Sequence, residues 1–264
     1  MIEVTRGEGP IVLGLPHTGT ELPGDIREGL NETGLAMVDT DWHIDRLYSG
    51  LRDDVTMVRQ VEHRYVIDVN RPPDGQSLYP GQNTTDLCPL TDFDGRAIHR
   101  EGCAPDAAEI ARRIEVYHAP YHAALSTELA RVKAKNGVAV LYDCHSIRSV
   151  IPRLFDGSLP DFNIGTNLST SCAPVVEKYV EKICAAAGGY SSITNGRFRG
   201  GWTTRHYGDP EAGIHAIQME LAQSTYMQET APWAWDAEKA TRLRAQLARI
   251  LNGLSELVET AALR

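Results

Sequence analysis

The sequence predicts an α/β fold with a mostly parallel sheet, on three observations. Short apolar runs rich in β-branched residues alternate with stretches whose apolar residues recur every three or four positions. Gly and Pro punctuate the boundaries, and ligand-capable polar residues follow directly on several of the apolar runs. With 264 residues and no internal repeat, the chain suits one domain over 1–264 with a sizeable core.

Residues 11–15 (IVLGL) lie between Pro10 and Pro16 and read as a buried strand ending at a turn. Thr40 is placed to cap a helix carrying Ile44, Leu47, Tyr48 and Leu51. Residues 56–61 and 65–69 (YVIDV) read as strands. From about 70 to 105 the chain is dense in Gly, Pro, Asp and Thr, and a loop of that length in a compact domain is usually functional, as a lid or substrate loop. Residues 107–135 are helical in spacing, with Pro120 as a kink or break. A buried strand at 138–142 (VAVLY) runs into Asp143-Cys144-His145-Ser146. A helix over 175–187 stops at Gly188-Gly189, a strand covers 214–221, and a helix over 236–263 carries Leu243, Leu247, Ile250, Leu251, Leu254 and Leu257.

Composition narrows the function classes. A net charge of −9 argues against nucleic acid or anionic lipid as partner, although a few local arginines can still hold a small anion. No apolar run approaches the roughly 20 residues that span a bilayer, and MIEVTRGEGP lacks the pattern of a signal peptide, so a cytoplasmic setting is expected. The five cysteines form no CxxC pair, which disfavours a disulfide framework and a thiolate zinc site. Cys144 sits between Asp143 and His145. On a strand neighbours face opposite ways, so Cys144 packs in the core when His145 faces a cleft.

His17 follows the first strand, Asn70-Arg71 follows YVIDV, His145 follows VAVLY, and Glu220 lies near the end of IHAIQME. In a parallel sheet such strand ends share one rim, where ligands bind. Glycine patterns for nucleotides and the GxSxG elbow are absent. What remains is histidine with carboxylate, the ligand set of a catalytic Zn2+ that keeps a position open for water. Asp143 shares a strand face with His145 and is placed to hold its imidazole. The third ligand is either Glu21, four residues after His17, or Asp41, with Asp39 and Asp45 nearby. His118 and His122 have i, i+4 spacing but lack the glutamate of HExxH, so they read first as helix-surface histidines, His122 with a chance of lining the pocket.

Five blocks, Pro16-His17-Thr18-Gly19, residues 41–47 (DWHIDRL), residues 64–72 (RYVIDVNRP), residues 143–146 (DCHS) and residues 217–221 (IQMEL), resemble the N-formylglutamate amidohydrolases. That family is similar in turn to the zinc carboxypeptidases and aspartoacylases. The resemblance implies a three-layer α/β/α sandwich with a mixed, mostly parallel sheet of the zinc-carboxypeptidase kind. It further implies His17 and His145 as metal ligands, Glu220 as the catalytic carboxylate, and Asn70-Arg71 as the grip on a substrate carboxylate. The chain has Thr20 where carboxypeptidases have the ligand glutamate, and Asp41, in the better-matching block, is preferred to Glu21. The implied reaction is hydrolysis of N-formyl-L-glutamate to formate and L-glutamate in histidine degradation, with one Zn2+ (Co2+ and Fe2+ accept the same ligands). For the substrate's two carboxylates the candidate readers are Arg64, Arg71, Arg148 and Arg205, since a guanidinium binds two oxygens at once. The alternatives are a related metal amidase for another N-acyl amino acid or a cell-wall peptide, and a non-catalytic dicarboxylate-binding protein.

Overall fold

The computed structural model describes residues 1–260, 262 and 263. Among them, seven strands form one sheet in the order β1-β3-β2-β4-β7-β5-β6. The strands are β1 (Ile2–Thr5), β2 (Ile11–Leu15), β3 (Thr56–Gln60), β4 (Ala139–Ile147), β5 (Phe162–Gly165), β6 (Ser192–Thr194) and β7 (Ile214–Ala222). The central four, β3-β2-β4-β7, run parallel. β1 and β5 are antiparallel to their inner neighbours, and β6 runs parallel to β5. The sheet is thus mixed and mostly parallel, as the alternation of strands and helices predicts.

Helices cover both faces. In chain order they are α1 (Gly24–Gly29), α2 (Glu32–Leu35), α3 (Ile44–Tyr48), α4 (Ala107–Arg113), α5 (Ala119–Asn136), α6 (Pro174–Ala185), α7 (Trp202–Tyr207) and α8 (Ala237–Glu259). The period of two in the strands decides which face each residue serves. Ile11, Leu13 and Leu15 of β2, with Val140, Tyr142 and Cys144 of β4, pack beneath α3, α6 and α8. Val12, Ala139 and Leu141 point the other way, onto Tyr121, Leu125, Leu129 and Val132 of α5. Cys144 therefore belongs to the core, where burial pushes its thiol well above the usual range. None of the helices is long and apolar enough to cross a membrane among the described residues.

Several local expectations are corrected. Residues 65–69 form no strand. The YVIDV run is buried throughout but folds as turns, and its backbone groups are satisfied from outside a sheet. Arg113 Nη1 donates to the Val66 carbonyl, His122 Nε2 to that of Val69, and the Asp68 amide to that of Leu87. Thr40 does not cap α3. Its hydroxyl donates to the Met37 carbonyl, and His43, at φ 62°, occupies the position before the helix. β4 runs five residues past Tyr142, because residues 139–147 pair in register with all of β7 and every residue of β4 is buried. Pro120 sits in the first turn of α5, directly after a π-helical turn over Ile114–His118 that joins α4 to α5, so its missing N–H falls where the helical hydrogen-bond pattern already changes. Asp236 caps α8 by accepting from the Lys239 amide.

Candidate active site

The carboxyl ends of β2, β4 and β7 assemble the site. His17 lies two residues past β2, and His145 and Glu220 are paired rungs of β4 and β7. Asp41 arrives on the turn before α3, held by three ties: its own amide donates to the His17 carbonyl, Gln223 Nε2 donates to the Thr40 carbonyl, and the Tyr226 hydroxyl to that of Trp42. The buried side chains of His17, Asp41 and His145 offer ligand atoms that all lie within 4.8 Å of one another. Glu21, the alternative carboxylate, is exposed and bridges to Glu62 at the sheet's margin.

The two imidazoles are oriented from behind. His17 Nε2 donates to Asp68 Oδ1 at 2.7 Å. A carboxylate only accepts, so the proton is on Nε2 and Nδ1 presents its lone pair to the site. That buried Nδ1 has no hydrogen-bond partner, and neither does Asp41 Oδ1. His145 turns Nδ1 toward Asp41 Oδ2, at 3.3 Å, while its Nε2 lies 3.1 Å from both Asp143 Oδ1 and Asn70 Nδ2. Two nitrogens and a carboxylate facing one point, each imidazole backed by an aspartate, fit a divalent transition-metal ion. The field agrees. Burial works against a charged His145, but Asp143 and Asp41 outweigh it and favour the cationic ring strongly. Burial also works against the Asp41 carboxylate, and His145 and His17 outweigh it, holding the group well below the usual range. Surroundings that favour positive charge at this point favour a cation there.

Glu220 is buried beside this group, and Oε2 accepts from Gln218 Nε2 at 3.1 Å. Burial pushes its carboxyl up to about 8, with Asp41 and Asp143 adding to the shift against His145 and Arg64.

One cavity is lined by His17, His145, Glu220, Asn70, Arg64 and Arg71. Asn70 Oδ1 accepts from the Thr203 amide, which turns Nδ2 toward His145 Nε2 at 3.1 Å. A Cβ on residue 201 would meet that amide nitrogen at 2.3 Å, so glycine is required where the loop before α7 crosses Asn70. Arg64 is buried, donating to Asp68 Oδ2 at 2.6 Å and stacked 4.8 Å from the centre of the Phe93 ring. Arg71 donates to the carbonyl and hydroxyl of Thr85. The other two arginine candidates lie apart. Arg148 pairs with Asp94 at 3.0 Å, and Arg205 donates to the carbonyls of Gly200 and Leu78; neither lines the cavity.

His118 and His122 also stand outside the cavity lining, with a different task from that expected. His118 Nε2 donates to the Arg71 carbonyl and His122 Nε2 to the Val69 carbonyl, so the pair fixes the backbone on either side of Asn70. Sequence reading missed three residues. Asp68 is the hub joining His17, Arg64 and the Asn70 amide, and its signal was an acid inside an apolar run. Arg197 and Tyr79 reach the cavity from loops that carry no motif.

The family model of N-formylglutamate amidohydrolase matches residues 9–227. N-formylglutamate deformylases of Pseudomonas aeruginosa and Pseudomonas putida are 48% and 47% identical to this chain over 256 and 250 residues. These matches cover 96% and 94% of this chain and 96% and 93% of theirs. The crystal structure of an N-formylglutamate amidohydrolase from Ralstonia eutropha shares the fold with a TM-score of 0.82 at 24% identity, over 98% of both chains. A protein of Agrobacterium tumefaciens does so at 0.74 and 18%, over 98% of this chain and 96% of its own. With near-half identity sustained almost from end to end, the chain belongs to the N-formylglutamate amidohydrolase family.

Proposed function

We propose that the protein is a zinc-dependent deformylase that hydrolyses N-formyl-L-glutamate to formate and L-glutamate, serving histidine degradation in the cytoplasm, with 1–264 acting as one hydrolytic domain. The observation that carries this reading is the convergence of His17, Asp41 and His145 beside Glu220, in a cavity that also presents guanidinium groups. The names of the Pseudomonas relatives point to the same reaction.

His17, Asp41 and His145 would hold the ion, which when bound supplies an activated water and polarises the formyl oxygen. Glu220 accepts the proton of the attacking water and passes it to the departing amine nitrogen. Asn70 and Arg71 grip the carboxylate next to the scissile amide, and Asp68 keeps Arg64 and His17 aligned while they do so.

Metal analysis of the purified protein, paired with formate release from N-formyl-L-glutamate, tests the proposal. Zinc is expected at about one ion per chain by the ligand count, with His17→Ala and His145→Ala losing it. Full metal occupancy in either variant, or no formate release by the metal-loaded protein, refutes it.

A further inference from the structure

Three arginines line the cavity, Arg64, Arg71 and Arg197, against a single acid, Glu220. Their charges are not equally free. Arg64 is neutralised by Asp68 at 2.6 Å, and Arg71 shares the same carboxylate at 3.7 Å. Arg197 forms no ion pair among the described residues. Its Nε donates to the Leu154 carbonyl at 2.9 Å and its Nη2 to the Asn83 carbonyl at 2.8 Å, so two of its five N–H donors are used. The rings of Phe198 and Tyr79, 5.4 and 5.6 Å from the guanidinium carbon, flank it. Burial acts to lower the pKa of this half-buried group, as expected for a cation taken partly from water without a counter-ion.

Position separates the two roles. Arg71 follows Asn70, which touches His145, so the Arg71 segment borders the metal-ligand group through its own chain. Arg197 instead hangs between the loop at Asn83 and the turn at Leu154, touching none of His17, Asp41 and His145. On an N-acyl glutamate the α-carboxylate is bonded to the carbon next to the scissile nitrogen, and the side-chain carboxylate lies further out.

We infer that Arg197 is a specificity-determining residue that binds the substrate's side-chain carboxylate, so that the cavity selects acidic N-acyl amino acids over neutral ones of the same length. The inference rests on the deformylase reading above. It explains why a cation with fixed carbonyl anchors and flanking rings is left without an acid of its own: the acid arrives with the substrate.

The test compares kcat/KM for N-formyl-L-glutamate and N-formyl-L-glutamine, which differ in that one charge, in the wild type, Arg197→Met and Arg197→Lys. Loss of a charge-assisted pair predicts a fall of roughly 10- to 100-fold for Arg197→Met on the glutamate substrate, chiefly in KM, with less than about a threefold change on the glutamine substrate. Arg197→Lys should recover part of the preference. Equal losses on both substrates mean that Arg197 only straps the loops together, and an unchanged preference removes it from recognition; either result overturns the assignment. Wild-type protein that is metal-loaded yet inactive on both substrates overturns the deformylase reading itself, and the subsite falls with it.

Discussion

Asp68→Asn tests the claim that one buried carboxylate holds the site together. Its oxygens lie 2.7 Å from His17 Nε2, 2.6 Å from Arg64 Nη2, 2.9 Å from the Asn70 amide and 3.7 Å from Arg71 Nη1. Burial alone would raise its pKa, yet Arg71, His17 and Arg64 together hold it well below the usual range. The Arg64 contact has a gross Coulomb energy of about 6 kcal/mol at an effective dielectric of 20, most of it offset by desolvation. Removing one partner of a buried pair typically costs about 3–5 kcal/mol. Asn would keep the bond from the Asn70 amide, and Asp41, 3.7 Å from Arg64, supplies some compensation, which places the expected loss near the lower figure. For a chain of this size that is a fall in Tm of roughly 6–12 °C. The amide would also present either a donor to the Nε2 proton or a weaker acceptor, and metal affinity should fall roughly 10- to 100-fold. Urea unfolding of the metal-free protein gives the first number, and competition with a chromophoric chelator gives the second. A stability loss under about 1 kcal/mol with unchanged metal affinity refutes the reasoning.

Two further predictions follow from the same geometry. Glu220→Gln should bind metal as the wild type does but lose most of its turnover, since the amide fills the same space without accepting a proton; unchanged kcat removes Glu220 as the base. For His122, burial lowers the pKa to about 3 with its Nε2 committed to Val69. Between pH 6.5 and that value the unfolded chain binds a proton that the folded chain refuses, so stability falls as pH falls, by up to about 1.4 kcal/mol per unit. His63, also pushed by burial to about 3, adds a similar slope. His122→Gln should therefore flatten the decline of the urea midpoint between pH 6.5 and 5 without abolishing it, and a variant with the wild-type slope contradicts the assignment.

β2 and β4 were legible because they are buried on both faces and read as plain apolar runs, IVLGL and VAVLY. β1, β5 and β6 were not, since strands of three or four residues leave too few alternations to detect a period. YVIDV misled for a definite reason. Its β-branched residues report burial, and burial was correct, but side chains from α4 and α5 take the hydrogen bonds that a sheet would have made. Strand ends located His17, His145 and Glu220, since each depends on its own local sequence. Asp68 is tied to Arg64 four residues back, but its contact with His17 spans 51 residues, which no local pattern records.

Net charge misleads in a comparable way. A value of −9 describes the whole molecule, and it argued against nucleic acid and anionic lipid while leaving room for a small anion. The acids that balance Arg64 and stabilise both imidazoles, Asp41, Asp68 and Asp143, are buried behind the cavity and absent from its lining. What an incoming ligand meets is three guanidinium groups and one carboxyl. With low-dielectric walls around it, that inner surface can draw in a dianion while the exterior keeps the protein acidic. The arrangement has a cost in selectivity against cations and a benefit in selectivity among anions: a neutral side chain in place of the second carboxylate leaves Arg197 partly desolvated and unpaired, a penalty paid by the wrong substrate and not by the right one.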